Sequence, residues 1–411
     1  MSRLTPRIPA LALGVLISLF AFAFGPASAS ARKARAAGLP RVPQGFVGMV
    51  IDGPVFPDGH GNVDLAHQLD VMVASGVQTL RATFDWRAAQ PYEDWSGVPE
   101  SQRSQFEAAG GLPTRFGPID RLVGLAAQHG LTVLPVILNA PEWDAEHHSG
   151  AIVDLPKSDY WYANFAQTLV RRYGPGGDFW RLHPEVPKVP IHMWQLWNEP
   201  SIIAFWPVQP FAARYVALLR ATRQAIKRVD PGAKIVLAGL ANYSWIDLHR
   251  IYNVRGARGL FDVVAIHPYT RRPQGVITIL SYVRQVMNQA GDSRKPILAD
   301  EVSWPSSLGK TFHNTGYDFA TTESGQARNL AAVLPLLDRA RRRLRLLGFY
   351  YYTWAALERR NALAFEFAGL FRFSSGRFVA KPAYGVFRRG ALAMEGCRQK
   401  GAVATRCLRR G

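Results

Sequence analysis

The chain is poor in cysteine, in acidic residues and in long apolar runs, and each shortage narrows what it can be. Cys397 and Cys407 are the only cysteines in 411 residues, too few for a disulfide-built scaffold or for zinc-finger spacing. Both lie in the C-terminal tail. An exported chain would pair them as a disulfide, and two unpaired thiols are the alternative. Aspartate and glutamate number 30 against 49 lysines and arginines, a formal net charge of +19. Such a surface suits nucleic acid, anionic cell-envelope polymers or acidic sugars. The cations are scattered, however, with dense runs only at 339–343 and at the C-terminus. Without an RNA-binding signature or a basic–aromatic stripe, a nucleic-acid partner is not expected. No glycine-rich phosphate loop follows an early strand, which argues against a doubly wound open sheet. Beyond the N-terminus no segment is apolar over enough residues to cross a membrane.

That N-terminus reads as an export signal. Arg3 and Arg7 precede the apolar stretch 8–24, and two small-x-small sites follow, Ala27-Ser28-Ala29 and Ala29-Ser30-Ala31. The pattern predicts a cleaved secretory signal over 1–31 and a secreted or extracytoplasmic product, with an uncleaved membrane anchor as the alternative. A short linker at 32–45 would lead into one domain at 46–393, closed by a basic tail at 394–411. With 48% hydrophobic and 19% charged residues, the domain has enough apolar surface for one large core.

Within it, apolar β-branched runs alternate with amphipathic stretches. Strands are predicted at 46–51, 79–86, 132–138, 191–197, 234–240, 261–267, 296–302 and 346–354. Helices are predicted at 64–75 with Asp64 as cap, then 119–129, 160–173, 211–229, 245–252, 276–290, 325–343 and 384–393. A long polar, glycine-rich loop fills 87–118. Eight such units predict a parallel (β/α)₈ barrel, and the near-continuous apolar strands agree, since parallel strands are buried on both faces.

In that barrel the C-terminal ends of the strands ring one mouth. Arg81, Asn139, Asn198, Glu199, His267, Tyr269, Glu301 and Trp354 fall at or near it. Glu199 sits in Trp197-Asn198-Glu199-Pro200 after strand four, and Glu301 in Asp300-Glu301 on strand seven, across the ring. Two carboxylates facing each other suit cleavage of a glycosidic bond, one protonating the leaving oxygen and the other attacking the sugar. Flat tryptophan faces suit sugar rings. Trp304 and Trp354 are the expected platforms, with Trp143 and Trp206 as further candidates. His147-His148 beside Asp144 and Glu146 reads as a polar loop, so no metal is expected, and the chemistry needs no cofactor.

These elements resemble the clan of retaining (β/α)₈ glycoside hydrolases, nearest to the family-five cellulase type, over residues 46–389. The resemblance rests on Arg81, on the Trp197–Pro200 motif, on His267-Pro268-Tyr269, on Asp300-Glu301 and on Trp354. Gly369-Leu370-Phe371 and Lys381-Pro382-Ala383-Tyr384 resemble the closing segment of such barrels. Pro141-Glu142-Trp143 is similar to the family-thirty-nine pattern, and Asn139 stands where many family-five enzymes carry histidine. The resemblance implies a retaining hydrolase of an oligo- or polysaccharide, with β-linkages expected. Glu199 would be the acid/base and Glu301 the nucleophile, assisted by Arg81 and the Tyr269 hydroxyl. Asn198 would bind the sugar 2-hydroxyl and His267 would orient polar groups. Burial among Trp197 and Trp206 is expected to keep Glu199 protonated. Two other readings use the same residues: a transglycosylase, or a barrel that binds glycans without cleaving them.

Overall fold

The computed structural model describes residues 42–56, 63–241, 243–310, 318–359 and 363–396. The proposed signal, most of the linker and both cysteines lie outside these residues. Eight strands form the central sheet: β1 (Val47–Val50), β2 (Thr79–Asp85), β3 (Thr132–Leu138), β4 (Met193–Leu196), β5 (Lys234–Val236), β6 (Val264–Ile266), β7 (Ile297–Val302) and β8 (Leu346–Tyr351). All neighbours pair in parallel, in the order β6-β7-β8-β1-β2-β3-β4-β5. Parallel bridges from Val236 to Val263 and from Leu240 to Ile266 join β5 to β6 and close the ring. The result is the expected (β/α)₈ barrel.

A helix follows each strand: α1 (Leu65–Ala74), α2 (Gly117–Gln128), α3 (Asp159–Tyr173), α4 (Ala212–Val229), α5 (Ser244–Tyr252), α6 (Pro273–Gln289), α7 (Glu323–Leu344) and α8 (Pro382–Met394). Asp64 caps α1, its carboxylate accepting from the His67 N–H, which satisfies one of the donors that the first turn leaves unpaired. The start of α7 lies two residues ahead of the expected one. Thr322 is its cap, accepting from the Gly325 N–H, so Gly325 is already inside the first turn.

Apolar side chains between sheet and helices make the main core, and a smaller cluster fills the barrel itself: Val50, Leu134, Val236, Val263, Ala265, Leu298 and Tyr350. Gly48 makes room for the last of these, since a Cβ there would stand 2.4 Å from the Tyr350 ring. The stretch expected as one loop at 87–118 is built instead. It holds a short helix (Trp86–Ala89), a 3₁₀ turn (Glu100–Gln105) and a hairpin of Glu107–Ala109 with Leu112–Thr114. Gly110 and Gly111 form the hairpin's two-residue turn, both at positive φ, as a primed turn demands. Between β8 and α8 a second small sheet joins Ala355–Ala356, Phe371–Ser374 and Arg377–Ala380, its hairpin turning at Ser375-Gly376, again with both φ positive.

Candidate active site

The two glutamates leave the barrel three strand positions apart, separated by β5 and β6 on one side. After β4 the chain is held open to the cleft by a bridge from Asn198 to Gly239, with the Glu199 N–H donating to the Gly239 carbonyl. Trp197 and Glu199 both have positive φ, at 74° and 42°. Such conformations cost roughly 1–3 kcal/mol each and persist where the surroundings over-determine them. On β7 the device is a bulge. Ala299 pairs with Phe349 and Val302 with Tyr351, so three steps along β7 match two along β8. The extra residue breaks the alternation of sides and re-aims a side chain. Asp300 and Glu301, though adjacent, therefore both meet groups of the barrel interior.

Carboxylate oxygens of Glu199 and Glu301 and a ring nitrogen of His267 all lie within 4.8 Å of one another. The surroundings of the two acids differ. Both Glu301 oxygens accept hydrogen bonds, Oε1 from Arg81 Nη1 at 2.7 Å and Oε2 from the Tyr269 hydroxyl at 2.7 Å. Glu199 Oε1 meets His267 Nδ1 at 2.6 Å. Arg81 also donates from Nη2 to Asn198 Oδ1 at 2.7 Å and from Nε to Gln195 Oε1 at 2.8 Å. It thus ties β2, β4 and β7 together. Gln195 in turn donates to Asp300 Oδ2 at 2.6 Å.

All these groups except the half-buried Tyr269 are buried, which is costly for charges unless they are paired. Burial pushes the Glu301 carboxyl up from the ordinary glutamate range, and the nearby Glu199 adds to this. The charges of His267 and Arg81 pull the other way without reversing it. Burial would lower the His267 pKa, but the Glu301 and Asp300 charges outweigh it and raise it to about 10. For Asp300, burial acts to raise the pKa and is overcome by His267 and Arg81, leaving it below the usual aspartate value. Glu199, His267 and Glu301 offer donor atoms close enough to hold a cation. Yet both Glu301 oxygens are already taken, and Arg81 supplies the positive charge there.

The expected residues divide into those brought together and those placed elsewhere. Arg81, Asn198, Glu199, His267, Tyr269 and Glu301 form one bonded cluster. Arg81 is the third residue of β2 rather than its end, and its long side chain makes up the height. Asn139, at φ 72°, donates to Asp85 and accepts from the Asp154 N–H, joining the ends of β2 and β3 instead of touching the glutamates. The expected sugar platforms need correction. Trp354 is fully enclosed, its Nε1–H donating to Gln68 and its ring packed on Phe371 and Tyr384. Trp304 is equally enclosed, donating to the Thr270 carbonyl. Trp197 and Trp206 pack edge to face, Trp197 also against Tyr162 of α3 and Trp206 against Tyr215 of α4, so they belong to the strand–helix layer. Trp143 is half-buried, its Nε1–H bonded to the Gln90 carbonyl.

Two residues, Tyr352 and Gln195, were missed, and Asp300 was noted only as the neighbour of Glu301. Tyr352, just beyond β8, is only half-buried. Its hydroxyl donates to Asp52 at 3.1 Å, and the charges of Asp52, Glu301 and Glu199 add to the burial that raises its pKa. It is the aromatic that β8 offers to the mouth, two residues before Trp354. Gln195 and Asp300 form the polar floor below the glutamates. Polar residues inside otherwise apolar strand segments were the available signal for both.

No protein-family model matches the sequence, and no curated protein does. Solved structures do match. A monomeric beta-xylosidase from Caulobacter crescentus CB15 aligns with a TM-score of 0.59 and 16% identity, covering 85% of this chain and 69% of that one. A family 39 glycoside hydrolase from Bacteroides cellulosilyticus WH2 gives 0.59 and 18%, over 87% and 65%. An alpha-L-arabinofuranosidase from Thermotoga maritima gives 0.55 and 14%, over 85% and 70%. The chain therefore spans about two thirds of the length of these proteins. The likeness defines the class at the level of fold: this is the (β/α)₈ barrel on which glycoside hydrolases of several families are built.

Proposed function

We propose that the protein is a retaining glycosidase that cleaves O-glycosidic bonds, β-linked ones in the first instance, of an oligo- or polysaccharide. The observation that carries this reading is the pair Glu199 and Glu301, with carboxylate oxygens within 4.8 Å and unequal partners. Carboxyls this close suit a double displacement rather than an inverting attack by an intervening water. Glu301, with donors on both oxygens, attacks C1 while Glu199 gives its proton to the departing oxygen. The C1–O bond to the leaving group breaks and an ester to Glu301 forms. Water then attacks C1, passing a proton to Glu199 and freeing Glu301. Arg81 holds both the nucleophile and Asn198, the residue suited to the sugar 2-hydroxyl.

The test is sugar release from a panel of β-linked oligosaccharides and polysaccharides by the wild type, Glu199→Gln and Glu301→Gln. Loss by about 10³-fold or more is expected in both variants, the magnitude expected when a general acid or a covalent nucleophile is removed. Product of retained anomeric configuration is expected by NMR, and an inverted product would overturn the mechanism. Export and association with anionic cell-envelope polymers extend this reading, on the N-terminal pattern and the net charge of +19. Polymer binding indifferent to added salt would remove the second, and an intact N-terminus on the exported protein would remove cleavage of the signal.

A further inference from the structure

His267 is the most enclosed group of the cluster, with no exposed surface. Its ring lies against Gly239, where a Cβ would fall 2.0 Å from Nε2, so only glycine at 239 leaves room for the imidazole. Its two nitrogens face only carboxylates. Nδ1 is 2.6 Å from Glu199 Oε1, and Nε2 is 3.4 Å from Asp300 Oδ2 and 3.5 Å from Glu301 Oε1. The other groups that face this ring are the guanidinium of Arg81, which bonds Glu301 and lies 3.2 Å from Asp300, and the Tyr269 ring at 6.2 Å. Nδ1 is within hydrogen-bond distance of Glu199, while Nε2 makes no hydrogen bond among the described residues. Three carboxylates within 3.5 Å of a buried ring nevertheless favour its charged form, with a proton on each nitrogen. Asp300 is fully buried, and its Oδ1 has no hydrogen-bond partner among the described residues.

We propose that Asp300 is a positioning residue. It is the buried counter-charge that keeps His267 as an imidazolium, and His267 thereby fixes which oxygen of Glu199 carries the catalytic proton. The chain Asp300–His267–Glu199 rests on the glycosidase reading and adds a role to it. Because the Nδ1–H donates to Glu199 Oε1, that oxygen serves as acceptor. The acid proton then sits on Oε2, the oxygen free to meet a glycosidic bond. The charges also balance in both halves of the reaction. Before attack, Arg81 and His267 are positive, Asp300 and Glu301 negative, and Glu199 neutral. In the glycosyl-enzyme Glu301 is a neutral ester and Glu199 a carboxylate, so the sum is again zero. Without Asp300 both states carry an unbalanced positive charge in a buried site, which is relieved by loss of the His267 proton. The bulge on β7 that brings residue 300 to the same interior as residue 301 then has a chemical purpose for both.

The first test needs no substrate. In ¹⁵N-labelled protein the His267 ring is expected to stay an imidazolium through pH 8, in line with a pKa near 10. In Asp300→Asn it is expected to lose its proton at least one pH unit earlier than in the wild type. A neutral His267 in the wild type at pH 7 would overturn the proposal whatever the variant does. The second test separates positioning from structure. Asp300→Asn is expected to lose at least tenfold in kcat/KM on substrates with poor leaving groups. Its kcat/KM should stay within a few-fold of wild type on activated aryl glycosides, whose first step needs no acid. Equal losses on both substrates with the His267 titration unmoved would mean that Asp300 is merely structural. Should no glycoside be cleaved at all, the NMR result still stands or falls alone.

Discussion

A cluster of ionisable side chains gets its chemistry from asymmetry, and here the asymmetry is in the donors. Glu301 has a hydrogen-bond donor on each oxygen, whereas Glu199 has His267 on one. As the proposed nucleophile, Glu301 must be ionised to attack, and burial raises its pKa above the ordinary value of about 4.3. A group that works in its ionised form loses activity as the pH falls through its pKa. The acid limb of kcat/KM is therefore expected above the ordinary glutamate value. Arg81→Met, which removes one of the opposing positive charges, should move that limb further up. A wild-type limb at or below pH ~4 would contradict the assignment of Glu301 as a buried nucleophile. At this scale the sequence was informative about polar residues and misleading about aromatic ones. An Asn-Glu-Pro or Asp-Glu at a strand end is unusual enough to stand out. A tryptophan near a strand end is equally at home in the core, as Trp304 and Trp354 are.

Elements present these residues through departures from regularity. β4 carries Glu199 beyond its last residue on a backbone with positive φ, and β7 uses a bulge. The small sheet after β8 is secured differently, by charge. The Glu358 side chain, 3% exposed, accepts from Arg372 Nε at 2.7 Å and from Lys381 Nζ at 2.9 Å. Lys381 is the residue that enters α8, and burial lowers its pKa to about 8, with Glu358 opposing the shift. Glu358→Gln keeps the shape but leaves Lys381 buried without its anion. On the order of 3 kcal/mol of stability should be lost, as for other broken buried pairs. A thermal melt unchanged from wild type would show the cluster to be dispensable. The sheet itself could have been anticipated in part. Ser375-Gly376 and Gly110-Gly111 are two-residue hairpin signals, passed over because their strands are only three or four residues long.

For the whole molecule the informative group lies far from the glutamates in sequence. Glu395 closes α8 with no exposed surface, and neither of its oxygens has a hydrogen-bond partner among the described residues. Burial alone raises its pKa to about 8. The folded chain therefore holds this proton in a range where the unfolded chain, with an ordinary pKa of about 4.3, has released it. Stability should fall as pH rises between those two values. Glu395→Gln is expected to flatten the decline and to melt higher than the wild type at pH 8, with little difference at pH 4. Parallel melting curves for the two proteins across that range would rule the effect out.

By itself the sequence determined the barrel. Eight alternations of apolar strand and amphipathic helix leave few ways to bury both faces of a parallel sheet, and that periodicity is local. It also singled out Glu199 and Glu301, because a carboxylate following an apolar strand is conspicuous in one dimension. Only the tertiary structure decided which groups share a bond. Arg81 reaches Glu301 across 220 positions of sequence, and Tyr352 rather than Trp354 comes to the mouth. Asp300 and Glu301 both reach the interior because of one extra residue in a strand register. Such facts depend on closure of the ring and on the pairing of neighbouring strands, and neither is written in the spacing of residues along a single strand.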